Sequence, residues 1–432
     1  MTQATEDSPA TPLSAARISL VLLLSINLFN YVDRYVLAAV EPKIQAALFP
    51  DLSANDPHAL SMMGLLGTAF IVSYMVAAPL LGWLADRYSR WMLCGISVLI
   101  WSLATGGSGL APTFAAMLAM RLFVGIGEAG YGPAAPTIIS DLYPIKRRGS
   151  VLAWFYMAIP VGSALGYGLG GVIGSAFGWR RAFFAVTPPG LLLGILCFFM
   201  RDPPRGAVDT SHVSSRRAHL QDYLALLRNR SYLLDTAGMT AMTFAMGGIS
   251  YWMPRYVASE RHAADLGTAN LIFGAITVVA GIAATLLGGI AGDKLRPRFP
   301  GSYFLVSAIG ILISCPFILL MLYVPFPAAW VMIFLAEFWL FFNTGPSNTI
   351  LANVTHPTVR ASAFAVNIFL IHLLGDAISA PILGNIAGHF GWSAAFGVVT
   401  ATTAVAGILW LIGVPHLAPD TEAALDFPDK FT

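Results

Sequence analysis

GWLADRYSRW, residues 82–91, ends one long apolar run, and GIAGD, residues 289–293, ends another 207 residues after it. In each, small residues lead into an aspartate where a charged turn begins. Two further landmarks recur in the same order. Pro144, Arg147 and Ser150 match Pro357, Arg360 and, one residue short, Ser362. FGWRRAF, residues 177–183, matches FGWSAAF, residues 390–396, at an offset of 213. Three landmarks in one order at nearly one offset read as an internal duplication.

The duplicated material is apolar. Of 432 residues 57% are hydrophobic and 11% charged, against about 45–50% and about 25% in soluble domains. A water-soluble chain of this length could not hide that much apolar surface, so lipid is part of its solvent. Twelve stretches reach the roughly 20 residues of a membrane-spanning helix: 17–41, 60–84, 91–110, 113–141, 149–175, 182–200, 232–256, 268–291, 302–322, 328–353, 361–387 and 394–413. The expected fold is an all-α membrane protein of twelve transmembrane helices. The polar, basic stretch 201–231 parts them six and six. This predicts a tail at 1–16, a bundle at 17–200, a linker at 201–231, a second bundle at 232–413 and a tail at 414–432. Within the linker Leu220, Tyr223, Leu224 and Leu227 fall at helical spacing, flanked by Arg216, Arg217, Arg228 and Arg230. That is the pattern of an amphipathic helix lying on a membrane surface. The first apolar run exceeds a signal-peptide core of about 7–15 residues, so the first span is expected to be retained.

Lys and Arg set the orientation. With the N-terminus inside, the inner loops and tails hold 17 of the 24. The outer side holds Lys43, Arg180, Arg181, Arg255 and Arg261, while Arg34 and Arg121 lie inside spans. Both termini are therefore expected in the cytoplasm. Short loops and the lack of targeting signals point to a bacterial inner membrane. The net charge of +2 gives no reason to expect a nucleic-acid partner. Cys94, Cys197 and Cys315 sit singly in apolar runs, with the spacing of neither a disulfide framework nor a metal site. No cofactor is expected, and a monomer suffices.

Several motifs mislead. GIGEAG, residues 125–130, is a literal G-x-G-x-x-G, but a dinucleotide site needs a preceding strand and a helix that starts at the glycines. Here the glycines lie inside a span. GGSG, residues 106–109, resembles a rhomboid protease motif, yet twelve duplicated spans and the missing helical His partner argue against it. Asp376 lacks the second aspartate of an intramembrane aspartyl protease. An enzyme is not expected. Gly162, Gly166, Gly170 and Gly174 form a small-residue stripe in span 5, echoed by Ala380, Gly384 and Gly388 in span 11. Such stripes let helices approach closely, and both are expected to face the other half.

Two six-helix repeats related by an axis along the membrane normal resemble the major facilitator superfamily, whose members hold substrate near the midplane while the halves rock. The stretch 82–91 resembles the superfamily signature G-x-L-A-D-R-x-G-R-R, with Ser89 in place of a glycine and Trp91 in place of an arginine. Gly82 permits close helix approach. Asp86, Arg87 and Arg90 form a charged latch at the inner mouth, with Asp141 as the expected partner of Arg87. Asp293 and Lys294 repeat the latch in the second half.

Ionisable groups inside spans are costly and usually face a cavity or a partner. They are Asp33, Arg34, Arg121, Glu128, Glu337, His372 and Asp376. Arg121 and Glu128, seven apart, share a face of span 4. Asp33 and Arg34, being adjacent, point about 100° apart on a helix and cannot neutralise each other. The expected pairs are Arg34 with Glu128, and Asp33 with Arg121 or a proton. Burial favours the neutral form of a carboxyl and a nearby Arg the charged form. A group caught between the two can switch as a cavity opens, which suits proton coupling at Asp33 and Glu128. His372 and Asp376, four apart, are a second candidate switch with an alternative packing role.

The stretches NYVDRYVLAAVEPKI, GEAGYGPAAPTIISDLYP, WFYMAIPVGSALGYGLGG and HLLGDAISAPILG together resemble the spinster family of that superfamily, whose animal members carry sphingolipids and lysophospholipids. The resemblance implies coupling and substrate roles for Asp33, Arg34 and Glu128. The anion:cation symporters share the N-Y-x-D-R and R-x-x-x-G-x-x-E-A-G motifs, so organic-acid transport is the alternative. AIPVGSALGY and HLLGDA favour spinster. Arg34 beside abundant Phe, Trp and Met suits an amphiphile: the cation holds a phosphate or carboxylate and the apolar wall holds a chain. Arg121, Asn30, Asn343 and His372 complete the expected substrate site, with Asn27, Thr243 and Asn348 as further polar wall candidates.

Overall fold

The computed structural model describes residues 13–85, 87–143, 145–204, 226, 228–355 and 360–425. The long helices run in the order α1 Leu13–Leu48, α2 Pro57–Ala85, α3 Arg90–Leu110, α4 Phe114–Leu142, α5 Ile145–Phe177, α6 Trp179–Cys197, α7 Arg230–Arg255, α8 Leu266–Leu295 and α9 Ser302–Tyr323. Then follow α10 Ala328–Phe341, α11 Thr344–Val354, α12 Arg360–Ile371, α13 Ala377–Phe390, α14 Trp392–Gly413 and α15 Leu417–Leu425. The tenth expected span is α10 and α11 in series, interrupted at Phe342 and Asn343. The eleventh is α12 and α13 joined by a π-turn, His372–Asp376. The latch residue Asp86 lies outside the described residues. So does the expected amphipathic helix, except for Leu226.

Among the described residues, eleven helical stretches are long and apolar enough to cross a membrane. α7 is 26 residues long but is not among them. It carries three glycines, five Ser and Thr residues and Asp235. Large apolar side chains such as Val76 and Phe199 point outward, 75% and 77% exposed. This is the inversion expected of a bundle solvated by lipid, where each helix satisfies its own backbone.

α1 packs on α5, α2 on α4, and α3 on both α4 and α6; in the second half α14 packs on α7 and α9, and α10 on α8 and α9. The halves meet through α2 on α13, α5 on α8 and α1 on α7. The glycine stripes explain two of these contacts, one of them against expectation. On α13, a Cβ at Gly384 would lie 2.7 Å from Leu60 O of α2, so this stripe does face the other half. On α5 the stripe faces α1 of its own half: a Cβ at Gly162 would lie 2.6 Å from Leu28 O, and one at Gly166 2.6 Å from Val32 O. The adjoining face of α5, at Ala164 and Gly168, is the one that meets α8. Four-residue spacing marks the face that packs closely, not the neighbour that fills it.

Candidate functional site

Of the expected charges, Arg34 and Glu128 pair inside the first bundle. Arg34 Nε donates to Glu128 Oε2 at 2.7 Å. Glu128 is shut off from solvent, while the Arg34 side chain keeps 26% of its exposure. The pair is therefore open on the arginine side. Asn30 and Arg121 flank Glu128. The Arg34 guanidinium lies 4.9 Å from both the Tyr31 and Phe70 ring centres and 5.6 Å from that of Tyr74. Aromatic faces attract a cation at this range, so the rings hold Arg34 while leaving it accessible.

Asp33 does not pair with Arg121. Thr105 Oγ1 donates to Asp33 Oδ2 at 3.3 Å, and Asp33 Oδ1 has no partner. Arg121 is 1% exposed, lies 5.3 Å from the Phe70 ring, and has no acceptor for Nε and Nη1. Asp33, adjacent to Arg34 in sequence, points away from it toward α3, as helical geometry requires.

Other expected site residues take structural positions. Asn27 donates to Phe155 O at 2.8 Å and ties α1 to α5. Asn343, fully buried at the break before α11, donates to Leu340 O at 2.6 Å. His372 Nδ1 lies 3.1 Å from both oxygens of Asp376, in the π-turn across from Tyr35 of the first half. Glu337, whose face the sequence leaves open, accepts from Thr277 Oγ1 at 2.9 Å.

At the latch, Arg90 rather than Arg87 takes Asp141. Arg90 also holds Asp202 at 2.9 Å and donates to Pro203 O at 2.7 Å. It thereby ties α3, α4 and the end of α6 within one half. Ser89 caps α3 and turns Arg90 into the bundle. Arg87 stacks on Trp83 at 4.0 Å. Gly82 packs near Pro133 of α4. Asp293 accepts from Tyr303 at 2.7 Å, and Lys294 is exposed.

A cluster at the opposite face escapes the sequence reading. Arg255 Nη1, at the end of α7, donates to both oxygens of Glu41 at 2.8 Å and to Gln45 Oε1 at 2.6 Å, and Nη2 bonds Ala54 O. Tyr251 OH donates to Met63 O at 2.5 Å and Asn270 Nδ2 to Ala39 O at 3.0 Å; Tyr167 bonds Ser250 O, and Thr68 bonds Ala377 O. All of these join one half to the other. Glu41 is far along α1 and Arg255 is at the end of α7, so the starts of both helices lie at the other face. Asp420 of α15, bonded to Ser231 N, lies there too. The halves are thus joined at the face away from the described chain ends, called here the far face.

A family model described as the Major Facilitator Superfamily matches residues 23–380. The chain belongs to this superfamily of transporters. It is 37% identical over 406 residues to a protein spinster homolog 3 of Danio rerio, covering 88% of this chain and 80% of that one. It is 37% identical to protein spinster homolog 1 of Homo sapiens, covering 89% and 76%. Within the superfamily, then, the chain is a member of the spinster family. The fold matches a bacterial homologue of the human lysosomal transporter Spinster, solved inward-facing and unoccupied. The TM-score is 0.79 at 22% identity, over 98% of this chain and all of that one. It also matches a D-xylose-proton symporter, with TM-score 0.73 at 18% identity.

Proposed function

We propose that this spinster-family transporter moves an amphipathic, lipid-like substrate of the lysophospholipid or sphingolipid class, coupled to protons, by alternating access through twelve spans with both termini in the cytoplasm. The linker, the six-and-six division and the bacterial inner membrane belong to the same reading. The observation that carries it is the half-open Arg34–Glu128 pair. Its cation can leave the glutamate for a phosphate or carboxylate headgroup, which fits Arg well. The glutamate left behind is buried and takes a proton. Arg121, with two free nitrogens, supplies a second cation for the headgroup, and Asp33 a second carboxyl.

An apolar wall lies close by. Leu24, Ser25 and Leu28 of α1 and Trp154, Ala158 and Val161 of α5 line a groove of about 230 Å³. Leu24 and Leu28 share the face of α1 that carries Tyr31, one of the rings against Arg34. A headgroup at Arg34 would place a chain along this groove. With the opposite face cytoplasmic, the closed far face is the outer side of the transporter in this reading.

Uptake of a labelled lysophospholipid and of a small dicarboxylate into proteoliposomes, with and without a pH gradient, tests the reading. Saturable lysolipid movement driven by the gradient is expected, lost in Arg34→Ala and made independent of pH in Glu128→Gln. Dicarboxylate movement alone would refute the lipid assignment and make Arg34 with Arg121 a carboxylate clamp. A pH dependence unchanged in Glu128→Gln would refute its coupling role.

A further inference from the structure

Glu337 on α10 lies 209 residues after Glu128 on α4, within the 207–213 offset at which the halves repeat. The duplication puts a buried glutamate at matching places in both halves, but their surroundings differ. Glu128 has Arg34 at 2.7 Å. Glu337 is 4% exposed and accepts from Thr277 Oγ1 of α8. Thr277 itself lies 207 residues after Phe70, the ring against which Arg34 and Arg121 rest. Where the first half has a ring holding cations, the second has a hydroxyl donating to the acid.

Among the described residues, no cation pairs with Glu337. Glu337 lines a small cavity of about 10 Å³ with Met246, Ile249 and Ser250 of α7 and Leu340 and Phe341 of α10. That is near the lower bound for one water. The titratable group facing it from the other half is the Tyr167 phenol on α5. On α7, Tyr251 turns to Met63 of α2 and Arg255 to Glu41. On α8 the next titratable groups are Asp293 and Lys294 at its far end. On α9, Tyr303 bonds Asp293, Cys315 turns to Ile311 O and Thr400 O, and Tyr323 is exposed.

We propose that Glu337 is a second proton-binding site, reached from water only when the far face opens. An unpaired carboxylate in such a cavity is costly, and a proton removes the charge. Ser250, in the cavity wall, accepts through its carbonyl from Tyr167 of the other half. Parting the halves at the far face breaks that bond and frees the wall. Glu337 then meets water and exchanges its proton. Closing reseals it. The first half would bind its proton in exchange for substrate on Arg34, and the second in step with the gate.

This rests on the proton coupling proposed above, so its test needs one readout that does not depend on transport. Infrared difference spectra of the purified protein between acidic and alkaline buffer report each titrating carboxyl. Glu337→Gln should lose one protonated-carboxyl band that Glu128→Gln keeps, and Glu337→Asp should keep it at a shifted frequency. Tyr167→Phe should speed deuterium exchange of that band. In proteoliposomes, the protons moved per substrate should be the same in Glu337→Gln as in the unaltered protein, because a site open to one face alone returns its proton to that face; a lower number in Glu337→Gln overturns the one-sided access. An unchanged band set in Glu337→Gln, or an unshifted band in Glu337→Asp, overturns the site. Unchanged exchange in Tyr167→Phe overturns its gating. Substrate movement without proton movement in the unaltered protein overturns proton coupling instead, while the infrared comparison still decides the site.

Discussion

Replacing Arg255 with Met should open the far face. In the described state Arg255 and Glu41 are 3% and 0% exposed, joined by two 2.8 Å hydrogen bonds. Removing one member of a buried ion pair costs about 3–5 kcal/mol. Glu41 has one escape, taking a proton. From an ordinary glutamate pKa of about 4.3 that costs about 3.7 kcal/mol at pH 7, so the loss should sit near the lower end, about 3 kcal/mol. The loss falls on the closed state alone, because an open far face hydrates Glu41 with or without its partner. At about 1.4 kcal/mol per tenfold, the closed-to-open ratio should drop about a hundredfold. Spin labels at the exposed far-face residues Asp51 and His262, in a background with the three cysteines replaced, would report the ratio as a distance distribution. Arg255→Met and Glu41→Leu should each add a longer distance. The double variant should return toward the original distribution, since an apolar pair often replaces a buried ion pair at little cost. Single variants that keep the original distribution, or a double variant as open as the two losses added together, would refute the gate.

Two packing predictions separate the gate from the scaffold. A side chain at Gly64 would put its Cβ 2.5 Å from Pro381 of the other half, so Gly64→Leu should lengthen the same label distance. Gly162→Leu meets Leu28 within one half and should lower the melting temperature without changing the ratio between states. Trp410 donates to the buried Asp235 at 3.0 Å. Trp410→Phe should cost about 1–3 kcal/mol of stability, read as a fall in melting temperature that Asp235→Leu partly reverses.

The architecture is legible because its signals are redundant. Each span has its own apolar run, and three landmarks repeat. The Arg34–Glu128 pair is legible for another reason: a charge in a span must find a partner, and Arg121 and Glu128 already defined one charged face of α4. Glu41 was not found because it ends an apolar run, where length alone does not distinguish interior from headgroup region. Its partner is 214 residues away and counts, in the charge tally, as ordinary outer-side decoration. The available signal was that spans 1 and 7 are counterparts in the repeat, each ending in a charge of opposite sign. Asp235 escaped because it lies close to the start of its span, after Arg228 and Arg230, where it reads as part of the charged linker; its partner is an indole N–H, which composition does not flag. Arg87 and Arg90 both adjoin the turn after α2, and only the start of α3 at Ser89 decides which one reaches Asp141.

The misassigned stripe on α5 bears on mechanism. Because Gly162 and Gly166 bring α5 onto the backbone of α1, these two helices must move together. The other face of α5 meets α8 across the halves, so a shift at that contact carries α1 with it. α1 holds Asp33 and Arg34, and seven residues after Arg34, about 10 Å along a helix, it holds Glu41 of the far-face pair. Site and gate therefore ride on one rod. Arg90, tying α3, α4 and the end of α6, stiffens the rest of the same half. A headgroup that draws Arg34 from Glu128 acts on the helix whose other end closes the far face. Coupling between them needs no long relay, only that α1 and α5 stay locked. Loosening that lock by a bulky residue at Gly166 should then weaken the dependence of far-face opening on substrate even where Arg34, Glu128, Glu41 and Arg255 are all intact. A full substrate response in such a variant would show that the coupling runs by another path.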